Sequence, residues 1–296
     1  MRAKVLLIDA YATIYRAFFA IRSLSGVHGE PVNAVFGFTK MVQKLQVDHR
    51  PTHCAVAFDR GAPEHRLRVL PDYKAQRPPT PPDLEIQIPW IREVLAALRT
   101  PIVEIEGEEA DDIIATLAVR SARTESDVCI ASPDKDFMQI VSPRIRLIRP
   151  NGKEAVFMDE SGVKSRYGVL PGQMVDFLSL VGDSVDNIRG VAGIGEKTAA
   201  ELLRQYGTME HLLGSLPQIK KPKLRDALRA SADRLRINRQ VIALRCDLIL
   251  PVTVDDLKVL PPDWAKLSEL FQRFGFKSLL ANLQERMRET PDLFAF

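Results

Sequence analysis

Cysteine is scarce in this chain. The three present, Cys54, Cys129 and Cys246, are odd in number and widely spaced, so they fit neither a disulfide framework nor a zinc site. Cys54 and Cys129 fall in apolar, strand-like stretches and read as small buried side chains. Histidine is also sparse, and its five copies do not recur with the acids in any motif, which argues against zinc. No apolar run reaches the length of a membrane span. The N-terminus lacks the pattern of a signal peptide and runs from Lys4 straight into the strand-like Val5–Ile8, so a cytoplasmic location is expected. No internal repeat or low-complexity tract is evident. A large excess of one charge is missing too, since the net charge is only +3.

What is present is a globular composition, 46% hydrophobic and 27% charged over 296 residues, long enough for one large domain or two smaller ones. Charge is sorted along it. Acids gather at the ends of apolar stretches and in short motifs. Bases gather at Arg66, Arg68, Lys74 and Arg77, and again at Lys220, Lys221, Lys223, Arg225 and Arg229. A protein that holds metal and also binds a polyanion needs this separation; any one of these runs taken alone fits a solvated face equally well.

Apolar, β-branched runs recur at Val5–Ile8, Ala55–Phe58, Ile102–Ile105, Val128–Ala131 and Ile145–Ile148. Segments of helical periodicity separate most of them, at Phe36–Gln46, Leu84–Leu98 and Ala110–Arg120. The alternation predicts an α/β domain with a mainly parallel sheet flanked by helices, over residues 1–170. Functional groups collect at the carboxyl ends of such strands. Three strands lead into acid there: Asp9, Asp59, and the pair Asp134 and Asp136. One such aspartate would be an ordinary helix cap; three on one sheet edge are harder to dismiss. Between them, Arg60–Pro82 is rich in Pro, Arg and Lys and reads as a long, partly helical excursion from the domain. From about Pro171 the pattern turns helical, at Gln173–Val181, Glu196–Tyr206, Lys223–Ala230, Asp233–Val241, Trp264–Phe274 and Phe276–Glu285, which predicts a second module over 171–296.

Three motifs carry chemistry. Glu109-Ala110-Asp111-Asp112 opens a helix, where one acid would complement the macrodipole; three acids in four residues repel one another unless a cation sits among them. Ser132-Pro133-Asp134-Lys135-Asp136 follows a strand, and its two carboxylates suit Mg²⁺ or, by itself, a simple turn. Gly182-Asp183-Ser184-Val185-Asp186-Asn187-Ile188 leads into Gly193-Ile194-Gly195-Glu196-Lys197-Thr198. There, small residues before a helix start let backbone N–H groups approach a phosphate without reading bases.

With these motifs in order, the chain resembles the 5′-nuclease domain at the N-terminus of bacterial DNA polymerase I, of the flap endonuclease superfamily. The resemblance covers nearly the whole length and includes Leu7-Ile8-Asp9, Tyr15-Arg16-Ala17-Phe18, Ala57-Phe58-Asp59 and Tyr73-Lys74-Ala75-Gln76-Arg77-Pro78-Pro79, besides the motifs above. It implies a PIN-like sheet followed by a helix–hairpin–helix module at about 183–206. It implies a first metal group of Asp9, Asp59, Glu109 and Asp111, and a second group or its surroundings of Asp112, Asp134, Asp136, Asp183 and Asp186. Lys74 and Arg77 match basic residues at the base of a helical arch that passes a 5′ single strand. Tyr15 and Arg16 match residues near the scissile bond. Gly193, Gly195, Lys197 and Thr198 match the duplex-binding element, where relatives often also hold K⁺.

The implied activity is Mg²⁺-dependent hydrolysis of DNA phosphodiesters at 5′ ends and flaps, with Mn²⁺ a substitute, in primer removal and repair. Two ions about 4 Å apart can clamp the attacking and leaving oxygens, and a carboxylate set without His or Cys suits Mg²⁺. The expected partner is branched or nicked duplex DNA with a 5′ single strand, RNA/DNA primers included, bound by a monomer. The chain departs from the family pattern at Ala10-Tyr11-Ala12, where glycine and small polar residues are usual, at Pro133 in place of glycine, and at Arg189 and Ala192 in place of prolines. None removes an expected ligand. Two other classes compete. A PIN-type ribonuclease shares the acidic core but does not need the Gly193–Gly195 module or the Arg60–Pro82 segment. A binder of branched DNA that does not cut gains nothing from so many acids beside phosphates. The chain ends near where polymerase-bearing relatives continue, so a free-standing nuclease and an excised domain are both expected readings.

Overall fold

The structure is a computed structural model and describes residues 2–151 and 154–289. The first half alternates: β1 (Lys4–Asp9), α1 (Ala10–Ala20), α2 (Asn33–His49), β2 (His53–Ala57), α3 (Glu64–Val69), α4 (Pro82–Glu85), α5 (Ile88–Ala97), β3 (Ile102–Val103), α6 (Ala110–Arg123), β4 (Asp127–Ala131), β5 (Ile145–Asn151) and β6 (Glu154–Met158). The second half is helical: α7 (Glu160–Tyr167), α8 (Met174–Val181), the two-residue pair β7 (Gly182–Asp183) and β8 (Ile188–Arg189), then α9 (Glu196–Tyr206), α10 (Met209–Gly214), α11 (Pro222–Ile242), α12 (Trp264–Arg273) and α13 (Lys277–Glu289).

The six-stranded sheet runs in the order β3-β2-β1-β4-β5-β6. Every pairing is parallel except β5 with β6. Its central strands are apolar without a break because both faces are covered: β1 is buried from Val5 to Asp9 and β2 throughout. One face packs on a core that runs from Leu7, Ile113 and Ile130 on into Phe177, Leu203 and Leu235 of the helical half. The other carries Ile8, Phe38, Val56, Leu95, Phe271 and Phe274. Chain order reverses around β1, which lies between β2 and β4, so the carboxyl end of β1 is a topological switch point.

Several expectations shift. Leu84–Leu98 is two helices, because Pro89 cannot donate to a preceding turn and sits instead in the first turn of α5. Lys223–Ala230 and Asp233–Val241 are one helix, α11; Ser231 is buried inside it and does not break it. The helix α1 and the antiparallel edge strand β6 were not expected. The segment 60–82 does not stand off from the domain. After α3 it folds back onto the helical half, where Lys74 N donates to Asp186 O (3.1 Å) and Asn187 Nδ2 to Asp72 O (2.8 Å). Finally, α12 and α13, expected in the helical module, return to the far face of the sheet: Trp90 and Phe274 rings pack at 5.5 Å, and Arg273 pairs with Glu93 at 2.9 Å.

Candidate metal centre

The switch point places the acids. Asp9 ends β1 and caps α1, its Oδ1 accepting from Ala12 N (3.1 Å) and its Oδ2 from Ser132 Oγ (2.8 Å). Asp59 follows β2 and accepts from Ala110 N (2.7 Å), which ties it to the start of α6 and so to Glu109 and Asp111. Beyond β4, Asp134 Oδ1 accepts from Asp136 N (2.9 Å), closing a tight turn.

The other two acids arrive from the helical half on the β7–β8 hairpin. This hairpin needs glycine at both crossing points. Gly182 has φ +85°, and a Cβ on Gly182 or Gly190 would collide with the backbone of the other limb. Asp183 then accepts from Val185 N (2.9 Å), and Asp186 is buried beside it.

The electrostatics mark an acid cluster short of positive charge. Burial raises Asp9 to about 7, against its hydrogen bonds to Ala12 and Ser132 and with repulsion from Asp59 and Asp134 adding to it. Burial likewise raises Asp59 and Asp134, and it holds Asp111 and Asp136 well above the usual range, with neighbouring aspartates adding to the shift. Carboxyls that raise one another in this way prefer either a proton or a cation. Among the described residues no hydrogen-bond donor reaches the carboxylates of Asp111 or Asp136, which leaves their oxygens open to an ion.

Side-chain cations line one wall. Lys74, at a left-handed φ of 55°, contacts Glu109 Oε1 and lies 4.0 Å from Asp186 Oδ2. Burial opposes its charge, but Glu109 and Asp186 outweigh it and raise its pKa. Arg77 donates to Asp186 Oδ1 (2.8 Å), and Tyr73 OH lies 3.3 Å from both Glu109 and Asp186. Tyr15 OH pairs with Thr80 Oγ1 (3.0 Å), while its ring joins Tyr11 (6.4 Å) and Phe19 (6.3 Å) along α1. Arg16 is half-buried on the same helix.

Asp112 is not with the others. It is fully buried, and Arg66 grips both its oxygens (2.5 and 2.9 Å) while Arg245 N donates to Oδ1 (2.9 Å). Consecutive helix residues do not share a face; Asp111 lies beside Asp134, Asp9 and Asp59, whereas Asp112 lies beside Arg66. Asp112, expected in the second metal group or its surroundings, is the counter-ion of Arg66. Arg66, in turn, is no part of a basic track. It is 2% exposed, and it also binds Glu109 Oε2 (2.5 Å) and Val241 O (2.8 Å).

Among the described residues, the one place where three His, Cys, Asp or Glu side chains bring ligand atoms within 4.8 Å of one another is His65, Glu108 and Asp112. Arg245 holds Glu108 and Arg66 holds Asp112 there, so a cation would have to displace two guanidinium groups. Among the described residues, no three of the other expected acids bring ligand atoms that close together. The donor set is all oxygen, with no histidine or thiol in it.

Gly193 and Gly195 lie exposed ahead of α9, with no heavy atom within 4 Å of a Cβ built on either, while Ile194 anchors the loop in the core. Lys197 is exposed and Thr198 half-buried in the first turn. The departures Arg189 and Ala192 are exposed as well. Tyr11 packs edge-on against Phe58 at 5.7 Å, which gives the departure after Asp9 a packing role.

Residues 4–168 match the model of the 5′-3′ exonuclease N-terminal, resolvase-like domain, and residues 169–265 that of the 5′-3′ exonuclease C-terminal SAM fold. The chain is 40% identical over 298 residues to DNA polymerase I of Bacillus caldotenax, covering 98% of this chain and 33% of that protein. It is 38% identical to a 5′-3′ exonuclease of Aquifex aeolicus, covering 98% of each. The chain thus spans about a third of the polymerase relatives it matches. Among solved structures, a bacteriophage T5 flap endonuclease pseudo-enzyme–product complex with DNA and metal ions superposes with a TM-score of 0.69 at 21% identity, over 97% of this chain and 98% of that one. The catalytic core of Rad2 in complex with DNA substrate gives 0.64 at 17%, over 95% and 93%. At these identities the likeness is one of fold.

Proposed function

The chain belongs to the 5′-3′ exonuclease family, and from that premise we propose that it is a structure-specific 5′ nuclease, cutting DNA at 5′ ends and flaps with two divalent ions, Mg²⁺ by preference. The observation that carries this reading is the convergence of Asp9, Asp59, Glu109, Asp111, Asp134, Asp136, Asp183 and Asp186, from both halves of the chain, in one cluster of mutually repelling acids at the switch point. Four side-chain cations, Arg66, Lys74, Arg77 and Lys135, pair with these eight acids among the described residues, so the acids outnumber their internal partners.

Asp9, Asp59, Glu109 and Asp111 would hold one ion, and Asp134, Asp136, Asp183 and Asp186 the other. Bound ions supply an activated water and neutralise the charge on the scissile phosphate. The remaining work belongs to the chain. Lys74, paired with Glu109 and 4.0 Å from Asp186, would bring its ammonium to charge that develops on the phosphate. Arg77 holds Asp186 in place and is a second cation beside the acids. Tyr15 and Tyr11 offer ring faces to a displaced base. The Gly193–Gly195 loop gives backbone N–H groups to a duplex phosphate, and Lys197 adds charge there, so a duplex held at α9 delivers its 5′ strand to the acids. A K⁺ ion at this loop, a role in primer removal, a cytoplasmic location and a monomeric state belong to the same proposal.

The test is product mapping on an end-labelled 5′-flap substrate. The expected result is Mg²⁺-dependent release of short 5′ products by the wild type and loss of at least 10³-fold activity, on the order of what essential catalytic groups contribute, in Asp111→Asn with Asp134→Asn. Unchanged cleavage by that variant, or cleavage of single-stranded RNA in preference to the flap, would overturn the proposal.

A further inference from the structure

One cation at the centre, Lys135, is given no role in the scheme above. Lys135 lies between Asp134 and Asp136 and points across to the helical half, where its Nζ is 3.1 Å from Asp183 Oδ2. The other oxygen of Asp183 accepts from Val185 N at 2.9 Å. Both oxygens of Asp183 are therefore engaged, and among the described residues no other cation stands within ion-pair distance of it. Asp186 is held by Arg77 and Tyr73 in the same way. The acids that come from the helical half are thus capped by cations of the first half, whereas Asp111 and Asp136 are open.

The backbone leaves Lys135 no other place. The turn is pinned by the Asp136 N–H on Asp134, and the next two residues, Phe137 and Met138, are buried in the core. Only the side chain can move, and a lysine stem is long and flexible enough to withdraw from an anion without moving its backbone.

We propose that Lys135 is a tethered counter-cation of the second metal group. It holds Asp183 while no ion is there, and it must leave before Asp183 can coordinate one. An ammonium released beside a divalent ion is repelled unless an anion takes it up, and a DNA phosphate is that anion. The second ion then binds weakly to the free protein and tightly with DNA, which keeps hydrolysis waiting for substrate. Lys135 is a positioning residue in this scheme, and the inference rests on the two-ion reading above.

Calorimetric titration of Ca²⁺ into the whole chain tests it, with and without a 5′-flap duplex. Lys135→Met removes the charge, Lys135→Gln is a second neutral variant, and Lys135→Arg keeps the charge. Without DNA, the neutral variants should bind the second ion about tenfold more tightly than wild type, within the usual range of site-to-site coupling, and Lys135→Arg should stay close to wild type. DNA should tighten the second ion in wild type several-fold more than in either neutral variant. Equal affinities for both ions in wild type and neutral variants would overturn the role of Lys135 and leave the two-ion reading standing. A wild type that takes up no second ion even with DNA would end both.

Discussion

Replacing Arg66 by methionine removes the guanidinium that neutralises a fully buried carboxylate. Asp112 is 0% exposed and loses both guanidinium bonds, keeping the Arg245 N–H and the His65 ring 3.7 Å away. Glu109 loses its 2.5 Å contact but keeps Lys74 and Tyr73. Val241 O loses its donor. Stranding one partner of a buried pair costs about 3–5 kcal/mol. Protonation sets the ceiling, because a carboxylate with an ordinary pKa near 3.9 can be neutralised at pH 7.5 for about 5 kcal/mol. For a chain of this size 1 kcal/mol is worth roughly 2 °C, so the melting temperature should fall by roughly 6–10 °C, with the ion-free protein used for both. The sign with pH follows. The variant holds a proton when folded that it releases when unfolded, so its deficit shrinks as pH falls, by up to about 1.4 kcal/mol per unit. Arg66→Met with Asp112→Leu should recover part of the loss. Differential scanning calorimetry between pH 5.5 and 7.5 measures all three. A drop under about 2 °C, or a deficit that does not change with pH, would refute the assignment of Asp112 to Arg66.

Further outcomes follow from the same geometry. Asp9 is raised by burial to about 7 from 3.8, so it is protonated in the ion-free fold where the unfolded chain has lost the proton. Its contribution to stability is therefore lost as pH rises from about 4 to 7, and Asp9→Asn should flatten the melting temperature in that window. Mg²⁺ should bind more tightly as pH rises through 7, and a melting curve with and without Mg²⁺ reads both effects. Lys74→Ala should slow flap cleavage by roughly 10²-fold or more, the scale of losing one transition-state donor, while Ca²⁺-supported duplex binding changes less than threefold; equal losses in both would make Lys74 a binding residue only. Lys197→Ala should weaken duplex binding evenly across sequences and lower the slope of log affinity against log salt by about 1; an unchanged slope would remove Lys197 from the interface.

The acids were legible because each sits where a pattern ends. Asp9, Asp59 and Asp134 follow apolar runs, and a parallel sheet brings such ends to one edge whatever the loops do. Asp183 and Asp186 were found through their spacing beside Gly193–Gly195. Asp112 stands apart from the other acids although the sequence shows Asp111-Asp112 as a pair, because a helix separates consecutive residues by about 100°. That rule was available, but the partner that fixes Asp112, Arg66, is 46 residues away and looked like one of a basic run. The return of α12 and α13 to the sheet rests on Phe271, Phe274 and Phe276 meeting Trp90 and Phe36. An apolar helix face shows that it will be buried, not against which layer. The helix α1 could have been read from Asp9 as its cap with Ala10, Ile14 and Ala17 on one face.

The central claim is that these acids, and not His65 with Glu108 and Asp112, hold the ions. Anomalous scattering from Mn²⁺ in crystals of the chain with a 5′-flap duplex tests it directly. Two peaks about 4 Å apart, one flanked by Asp111 and the other by Asp134, are predicted. A single peak beside His65, or none within reach of Asp111, would contradict it.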